Sequence, residues 1–485
     1  MVLSETHDWV GKIFVDGWSD GGGGTSDVLE PATGRCITSC GIASVGDVRR
    51  ASATAATAQR AWAALAAERR AAVLRRAGSL FEENATEIAE WIVRESGSAP
   101  AKAALEVRIA AGECFEAAGL PTHPAGEVLP SNEDRWSFSR RRPAGVVSVI
   151  APFNFPLVLA IRSVAPALAL GNSVLLKPDP RTSVCGGVVL MRIFETAGLP
   201  TGVLQLVPGG SDIGTAVVEA PEVRVISFTG STPAGRKVGE AAGRLLKRAH
   251  LELGGNNALV VLPGARVAKA VSAGAFGSFF HQGQICMSTG RHIVHESVYE
   301  EYVAALVEKA KNLPIGDPAA GSVALGPIID EIQLRRIDSV VRRAEAAGGR
   351  IAVGGTFDGL FYDPTVITEI GPDNPAWCEE IFGPIAPVVS FSSLEEAAGL
   401  VNDSEFGLSV GIIGDVADAI TLADRIDSGK VHINEQTVND EPHAPFGGTR
   451  SSGNGSRFGG AAANIEAFTE VQWLTLRPET ATYPF

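Results

Sequence analysis

Nowhere in the sequence do about 18 apolar residues follow one another, so no helical membrane span is expected. Residues 1–17 lack a charged region followed by an apolar core, and a signal peptide is not expected there. Cysteine is scarce, with six in 485 residues. Cys36, Cys40, Cys114, Cys185, Cys286 and Cys378 form no framework of short, even spacings. That excludes a small disulfide-stapled secreted fold and favours a reduced, cytoplasmic setting. Cys36 and Cys40 stand close together, but no second Cys or His pair follows at ligand spacing, so no metal is expected. Positive charge is also in deficit: 41 Lys and Arg oppose 55 Asp and Glu, for a net −14. An acidic surface repels phosphate backbones, and nucleic acid is not expected as a partner. The one basic run, Arg140 to Arg142, has no aromatic ladder beside it and reads as a solvated hairpin or subunit contact. The dinucleotide fingerprint G-x-G-x-x-G does not occur.

What is there is globular: 45% hydrophobic and 20% charged residues, in a chain long enough for at least two sizeable cores. The early segment reads as short strands and turns (12–15 and 28–31), with Gly21 to Gly24 as a surface turn because no helical pattern follows it. From Ser44 the chain becomes Ala-rich. Ser44 and Asp47 are spaced as a capping box, and Val48, Ala51, Ala55, Ala58 and Trp62 fall on one helical face. Residues 125–142 alternate apolar and polar, as a hairpin with one buried face does, and 470–476 alternate likewise. Between them lie apolar runs at 145–150, 173–176, 203–207, 224–228 and 258–262, separated by helix-length segments. Such runs suit a parallel sheet covered on both faces, a doubly wound α/β domain with its ligand at the carboxyl strand ends. A second α/β unit follows from about residue 265 to 460.

Several segments carry chemistry. Residues 228–235, Phe-Thr-Gly-Ser-Thr-Pro-Ala-Gly, run from a strand into a helix. Gly230 permits a tight turn, Pro233 suits a first helical turn, and the free N–H groups there attract an anion. Alone, the segment reads equally well as a plain strand-to-helix turn. Lys177 ends an apolar strand where an ammonium could meet ribose hydroxyls or a phosphate; an ordinary solvated lysine is the alternative. Residues 151–156, Ala-Pro-Phe-Asn-Phe-Pro, hold the Asn154 amide in a constrained loop after a strand. Residues 250–256 place Glu252 among apolar residues and glycines, and 279–291 place Cys286 in a Gly-containing stretch.

These three segments, with Glu-Glu-Ile-Phe-Gly-Pro at 379–384, Asn434 and Pro-Phe-Gly-Gly at 445–448, resemble the aldehyde dehydrogenase superfamily across nearly the whole chain. The resemblance implies a Rossmann-like doubly wound NAD(P)-binding domain (1–123 and 143–253), a second α/β catalytic domain (254–465) and a small β oligomerisation arm (124–142 and 466–485). It implies a homodimer or homotetramer acting on a small-molecule aldehyde. Cys286 would attack the carbonyl as a thiolate. The Asn154 amide and the Cys286 N–H would stabilise the oxyanion, worth roughly 3–4 kcal/mol. Glu252 would activate water against the thioester, which favours hydrolysis over acyl transfer to coenzyme A. Pro152, Lys177, Asp179, Gly230, Ser231, Gly235, Glu380 and Phe382 would hold the coenzyme. Where many members place a ribose-binding glutamate, this chain has Pro180, with Asp179 as a partial substitute. NAD and NADP both stay open. His281, near Cys286 in sequence, is read as structural.

Residues 177–182, 434–446 and 453–460 resemble the benzaldehyde, vanillin and salicylaldehyde branch. Phe155, Leu159, Arg162, Ile285 and Phe446 would line its substrate funnel, although each also suits plain core packing. Arg162 equally suits an acidic substituent, so aliphatic aldehydes and semialdehydes stay as alternatives. Gly407-Leu-Ser-Val-Gly411 matches the G-x-S-x-G of serine hydrolases, but the expected strand and helix stand in the wrong order. A non-catalytic family member is the remaining rival, opposed by the joint presence of Asn154, Glu252 and Cys286.

Overall fold

The computed structural model describes residues 6–485, so residues 1–5 of the stretch read against a signal peptide lie outside the described residues. Two seven-stranded sheets organise the chain. In the first, Val146–Ile150 is central. Ser173–Lys177 and then Leu204–Leu206 add on one side, Val223–Thr229 and then Arg248–Glu252 on the other, all parallel. Lys12–Phe14 and Trp18–Asp20 complete the edge antiparallel. The chain therefore reverses its direction of winding between Val146–Ile150 and Val223–Thr229, the place where doubly wound sheets open a ligand crevice. Register aligns the strand ends there: Ile150 pairs with both Lys177 and Phe228, and Thr229 pairs with Glu252.

One expectation needs correcting. The apolar run at 258–262 belongs to the second sheet, as Asn257–Val261, and the first sheet is completed instead by Arg248–Glu252. That strand has two charged ends, so hydrophobicity alone does not mark it. The second sheet runs Arg350–Val353, Thr365–Thr368, Ile385–Phe391, Thr289–His295, Asn257–Val261, Ser409–Ile413, Lys430–Ile433. It too is parallel apart from Arg350–Val353.

Helix Val45–Ala64 begins with the capping box read from the sequence. The Ser44 hydroxyl accepts from Asp47 N, and the Asp47 carboxylate accepts from Ser44 N. Gly22 N donates to the same carboxylate, so the glycine turn leans on the cap. Of the face assigned to this helix, Val48, Ala51, Ala55 and Trp62 are buried and Ala58 is half-buried. All residues of helix Pro156–Ala169 are buried, Arg162 and Ser163 included, as expected for a largely apolar central helix. A three-stranded antiparallel sheet stands apart: Thr469–Leu476, Trp136–Pro143 and Gly126–Val128. No helix among the described residues is long and apolar enough to cross a membrane.

Candidate active site

Cys286 follows a turn in which His281, Gln282 and Gly283 take φ of 50°, 55° and 66°. For the two non-glycine residues this left-handed backbone costs on the order of 1–3 kcal/mol each, so surrounding bonds must over-determine it. Gln282 Nε2 donates to Gly97 O at 3.0 Å and to Pro327 O at 2.8 Å, and Gln284 Oε1 accepts from Ile329 N at 3.1 Å. Glycine is needed at 283 for space as well, because a Cβ there would stand 2.1 Å from the Gly383 carbonyl oxygen. The Cys286 carbonyl accepts from Asn257 Nδ2 at 2.8 Å, which fixes the backbone and leaves a half-buried thiol. Burial pushes that thiol up to about 12, with Lys430 the largest opposing charge.

Two cavities meet at this sulfur. One, of about 410 Å³, is lined by Phe155, Leu159, Arg162, Ile285 and Phe446, all five residues expected at a substrate funnel. Arg162 is buried, forms an ion pair with Asp440 and lies 4.3 Å over the Phe446 ring. Its Nε and Nη1 have no hydrogen-bond partner. Beneath it, Glu113 is buried and pushed up to about 8 by burial, against the pull of Arg162.

The other cavity, of about 320 Å³, occupies the crevice at the winding reversal. Pro152, Lys177, Asp179, Gly230, Ser231, Glu380 and Phe382 line it. Gly235 does not. It sits inside helix Thr232–Arg244, where a Cβ would stand 2.2 Å from Leu253 Cδ2, so its place is close helix–strand packing. Glu380 Oε1 accepts from Gly255 N at 2.9 Å, and burial pushes this carboxyl up to about 7. Phe382 has φ of 57° and meets the Phe153 ring edge-on at 5.9 Å. Asp179 lines the crevice with its oxygens already engaged. It accepts from Arg181 Nε at 2.8 Å and Nη2 at 2.9 Å, while Arg181 Nη1 reaches Asp330 at 2.7 Å. Ser231 caps the following helix without a side-chain bond to it. This helix end, the Lys177 ammonium and the Glu380 carboxylate make a donor and acceptor set that fits the phosphates and ribose of a dinucleotide.

Asn154, Leu159 and Cys286 line both cavities. The Asn154 carbonyl accepts from buried Lys102 Nζ at 2.7 Å, and Lys102 pairs with buried Glu106 at 2.5 Å. Glu106 in turn accepts from Leu157 N at 2.8 Å, so helix Pro100–Gly119 grips the Asn154 loop at both ends. Glu252 is 2% exposed, and neither of its carboxylate oxygens has a hydrogen-bond partner. Burial pushes it up to about 8, moderated by Arg162, Arg457 and Lys430. His281 is buried and borders neither cavity; burial and the neighbouring Lys102 hold its ring neutral. Ser409 of the G-x-S-x-G match lies buried in strand Ser409–Ile413 and donates to Thr437 O at 2.7 Å, which leaves no nucleophile elbow.

Sequence reasoning did not single out Lys102, Glu106, Glu113, Lys430 or Asp440. Lys102 and Glu106 stand at i,i+4, a spacing that normally signals a solvated surface pair. Only burial distinguishes them. A thiol, an amide donor and a protonatable carboxyl near one junction can perform covalent acyl chemistry.

The chain matches the model of the Aldehyde dehydrogenase family over residues 18–474. It is 60% identical to vanillin dehydrogenase of Amycolatopsis sp., with 100% of both chains covered. It is 47% identical to benzaldehyde dehydrogenase (NAD+) of Pseudomonas putida, with 98% of each covered. Among solved structures, salicylaldehyde dehydrogenase from Pseudomonas putida G7, complexed with salicylaldehyde, superimposes with a TM-score of 0.94 at 35% identity, covering 98% of this chain and 99% of that one. Matches of this length and identity, on a crevice and funnel that share one cysteine, establish that the chain belongs to the aldehyde dehydrogenase family.

Proposed function

We propose that the protein oxidises an aromatic aldehyde of the benzaldehyde or vanillin kind to its carboxylic acid, with NAD(P), through a thioester on Cys286. The observation that carries this reading is the placement of the Cys286 thiol and the Asn154 amide where the crevice meets the funnel. In this scheme the Cys286 sulfur bonds to the carbonyl carbon, and the oxygen takes up negative charge between the Asn154 amide and the Cys286 N–H. When bound in the crevice, the nicotinamide supplies the two-electron acceptor for the aldehyde's hydride. Lys177, Ser231 and Glu380 hold phosphate and ribose there, and Phe382 packs near the ring. Glu252, once ionised, takes a proton from water, the hydroxide displaces sulfur from the acyl carbon, and the thiol is restored.

The funnel walls favour a flat ring: Phe155, Leu159, Ile285 and Phe446 are apolar. Asp440 already neutralises Arg162, which weakens the case for a carboxylate-bearing semialdehyde. Arg162 lines the funnel with its charge already met by Asp440, which suits a neutral ring oxygen, hydroxyl or methoxyl better than a carboxylate. Pro180 and the Arg181 cation beside the crevice leave NADP acceptable along with NAD. The relatives' names support the aromatic class and, for one of them, NAD+. Assembly as a homodimer or homotetramer is proposed through the antiparallel arm, whose Trp136, Val471 and Trp473 are exposed. Six free cysteines suit a reducing cytoplasm.

Initial rates with benzaldehyde, vanillin, hexanal and succinic semialdehyde, each with NAD and NADP, test the reading. Both aromatic aldehydes are expected to lead in kcat/KM. A higher value for hexanal or succinic semialdehyde than for either aromatic compound overturns the substrate assignment and leaves the thioester chemistry standing.

A further inference from the structure

Among the charged groups around the two cavities, one lysine has no part in the scheme above. Lys430 opens strand Lys430–Ile433 of the second sheet and points behind the funnel wall. Its Nζ donates to the Asn439 carbonyl at 2.9 Å, packs directly against Met287 Sδ, and lies 4.2 Å over the Phe446 ring. Met287 directly follows the nucleophile, and Asn439 directly precedes Asp440, the partner of Arg162. Phe446 thus bears two cations, Lys430 and Arg162. Lys430 does not line the funnel, so its ammonium is kept from the aldehyde.

We propose that Lys430 is a positioning residue for the nucleophile: its ammonium ties Met287 and Asn439 together behind Cys286 and supplies the positive charge that favours the thiolate. The argument rests on this placement together with the reading of Cys286 as nucleophile. Charges of both signs face the sulfur. Lys430 and Arg162 favour the thiolate, while Glu380 and Glu252 oppose it, and Lys430 exerts the largest favourable effect. Burial lowers Lys430 itself to about 8, with Asp440 and Cys286 raising it and Arg162 opposing them, so it is mostly charged at neutral pH. Lys430 moves no proton in this scheme. In a site largely shielded from water, one fixed cation acts on the thiolate more strongly than it would at the surface.

The test follows alkylation of Cys286 by iodoacetamide across pH, without aldehyde or coenzyme. The Cys286 peptide is read by mass spectrometry, so that exposed Cys36 and Cys378 do not confuse the result. Lys430→Met is expected to slow alkylation roughly tenfold at neutral pH, where the lysine is charged, and to leave the rate well above pH 8 unchanged, so that the profile loses its neutral-pH limb. Lys430→Gln keeps a donor to the Asn439 carbonyl without the charge and is expected to do likewise, while Lys430→Arg restores the parent rate at neutral pH. If the folded Lys430→Gln protein alkylates with the parent's pH profile, the charge has no effect on the sulfur and the proposal is overturned. Because no turnover is measured, this outcome is separate from failure of the thioester reading, which a fully active Cys286→Ser protein would show.

Discussion

The crevice and the funnel open onto one sulfur atom yet are built by different means. The crevice is made by strand ends and the turns that follow them: Ile150, Lys177, Thr229 and Glu252 are brought level by sheet register. The funnel is made by side chains from distant parts of the chain, with Phe155 and Arg162 meeting Ile285, Asp440 and Phe446. The first needs few particular side chains, because backbone N–H groups and a helix end are themselves suited to an anion. The second holds the Arg162–Asp440 ion pair, tolerable because each charge compensates the other, and near it Glu113, which burial keeps largely protonated at neutral pH. Substitutions in the funnel should therefore sort substrates, and those at the junction should stop turnover.

The largest effect is expected at the shared atom. Cys286→Ser should lower kcat by at least about 10³-fold while coenzyme binding, followed by fluorescence titration, stays near the parent value. Coenzyme binding lost in parallel would break the separation of crevice from chemistry.

Next comes Glu252→Gln, expected to lower steady-state turnover by about 10²–10⁴-fold and to leave a single-turnover burst of reduced coenzyme with trapped acyl-enzyme. In the proposed scheme the ionised carboxylate is the active form, and burial lifts the group to about 8, so hydrolysis should rise with pH through about 8. The Gln variant should lose that rising limb in a pH series of acyl-enzyme decay. A limb that persists assigns the base to another group.

The smallest effect belongs to the funnel wall. Arg162→Met should raise KM for vanillin by roughly tenfold, the worth of a hydrogen bond to a charged donor, and change benzaldehyde far less. An equal loss for both compounds would make Arg162 a packing residue and erase the distinction drawn here.

The same contrast explains how much was legible beforehand. Asn154, Glu252, Cys286, Lys177 and Gly230 sit in local segments whose order and spacing carry the family resemblance; Asn154, Cys286, Lys177 and Gly230 line the crevice, while Glu252 lines neither cavity and lies level with Thr229 at the strand ends. The parallel strands were legible where they are uniformly apolar. Arg248–Glu252 was not, because its sheet partner hides polar ends that look like a loop. Gly235 was read as a coenzyme contact, but its missing side chain makes room for Leu253. Asp179 was read as a stand-in carboxylate, but two residues on lies Arg181, which takes both of its oxygens. Lys102, Lys430 and Glu113 were invisible because sequence records charge and not depth. Pairings across more than a hundred residues, such as Arg162 with Asp440, leave no local pattern at all.

The first sheet has its last strand by residue 252, yet the core beside it is closed by Phe458, Ala467 and Phe468. The Phe468 carbonyl accepts from Asn172 Nδ2 at 3.0 Å and from Ala144 N at 3.2 Å, at the root of the central strand. A ribosome adding about 5–20 residues per second needs roughly 10–40 s to travel from one to the other. Throughout that interval the nascent amino-terminal half carries an uncapped apolar seam, and the carboxy-terminal segment works as a latch that is delivered late.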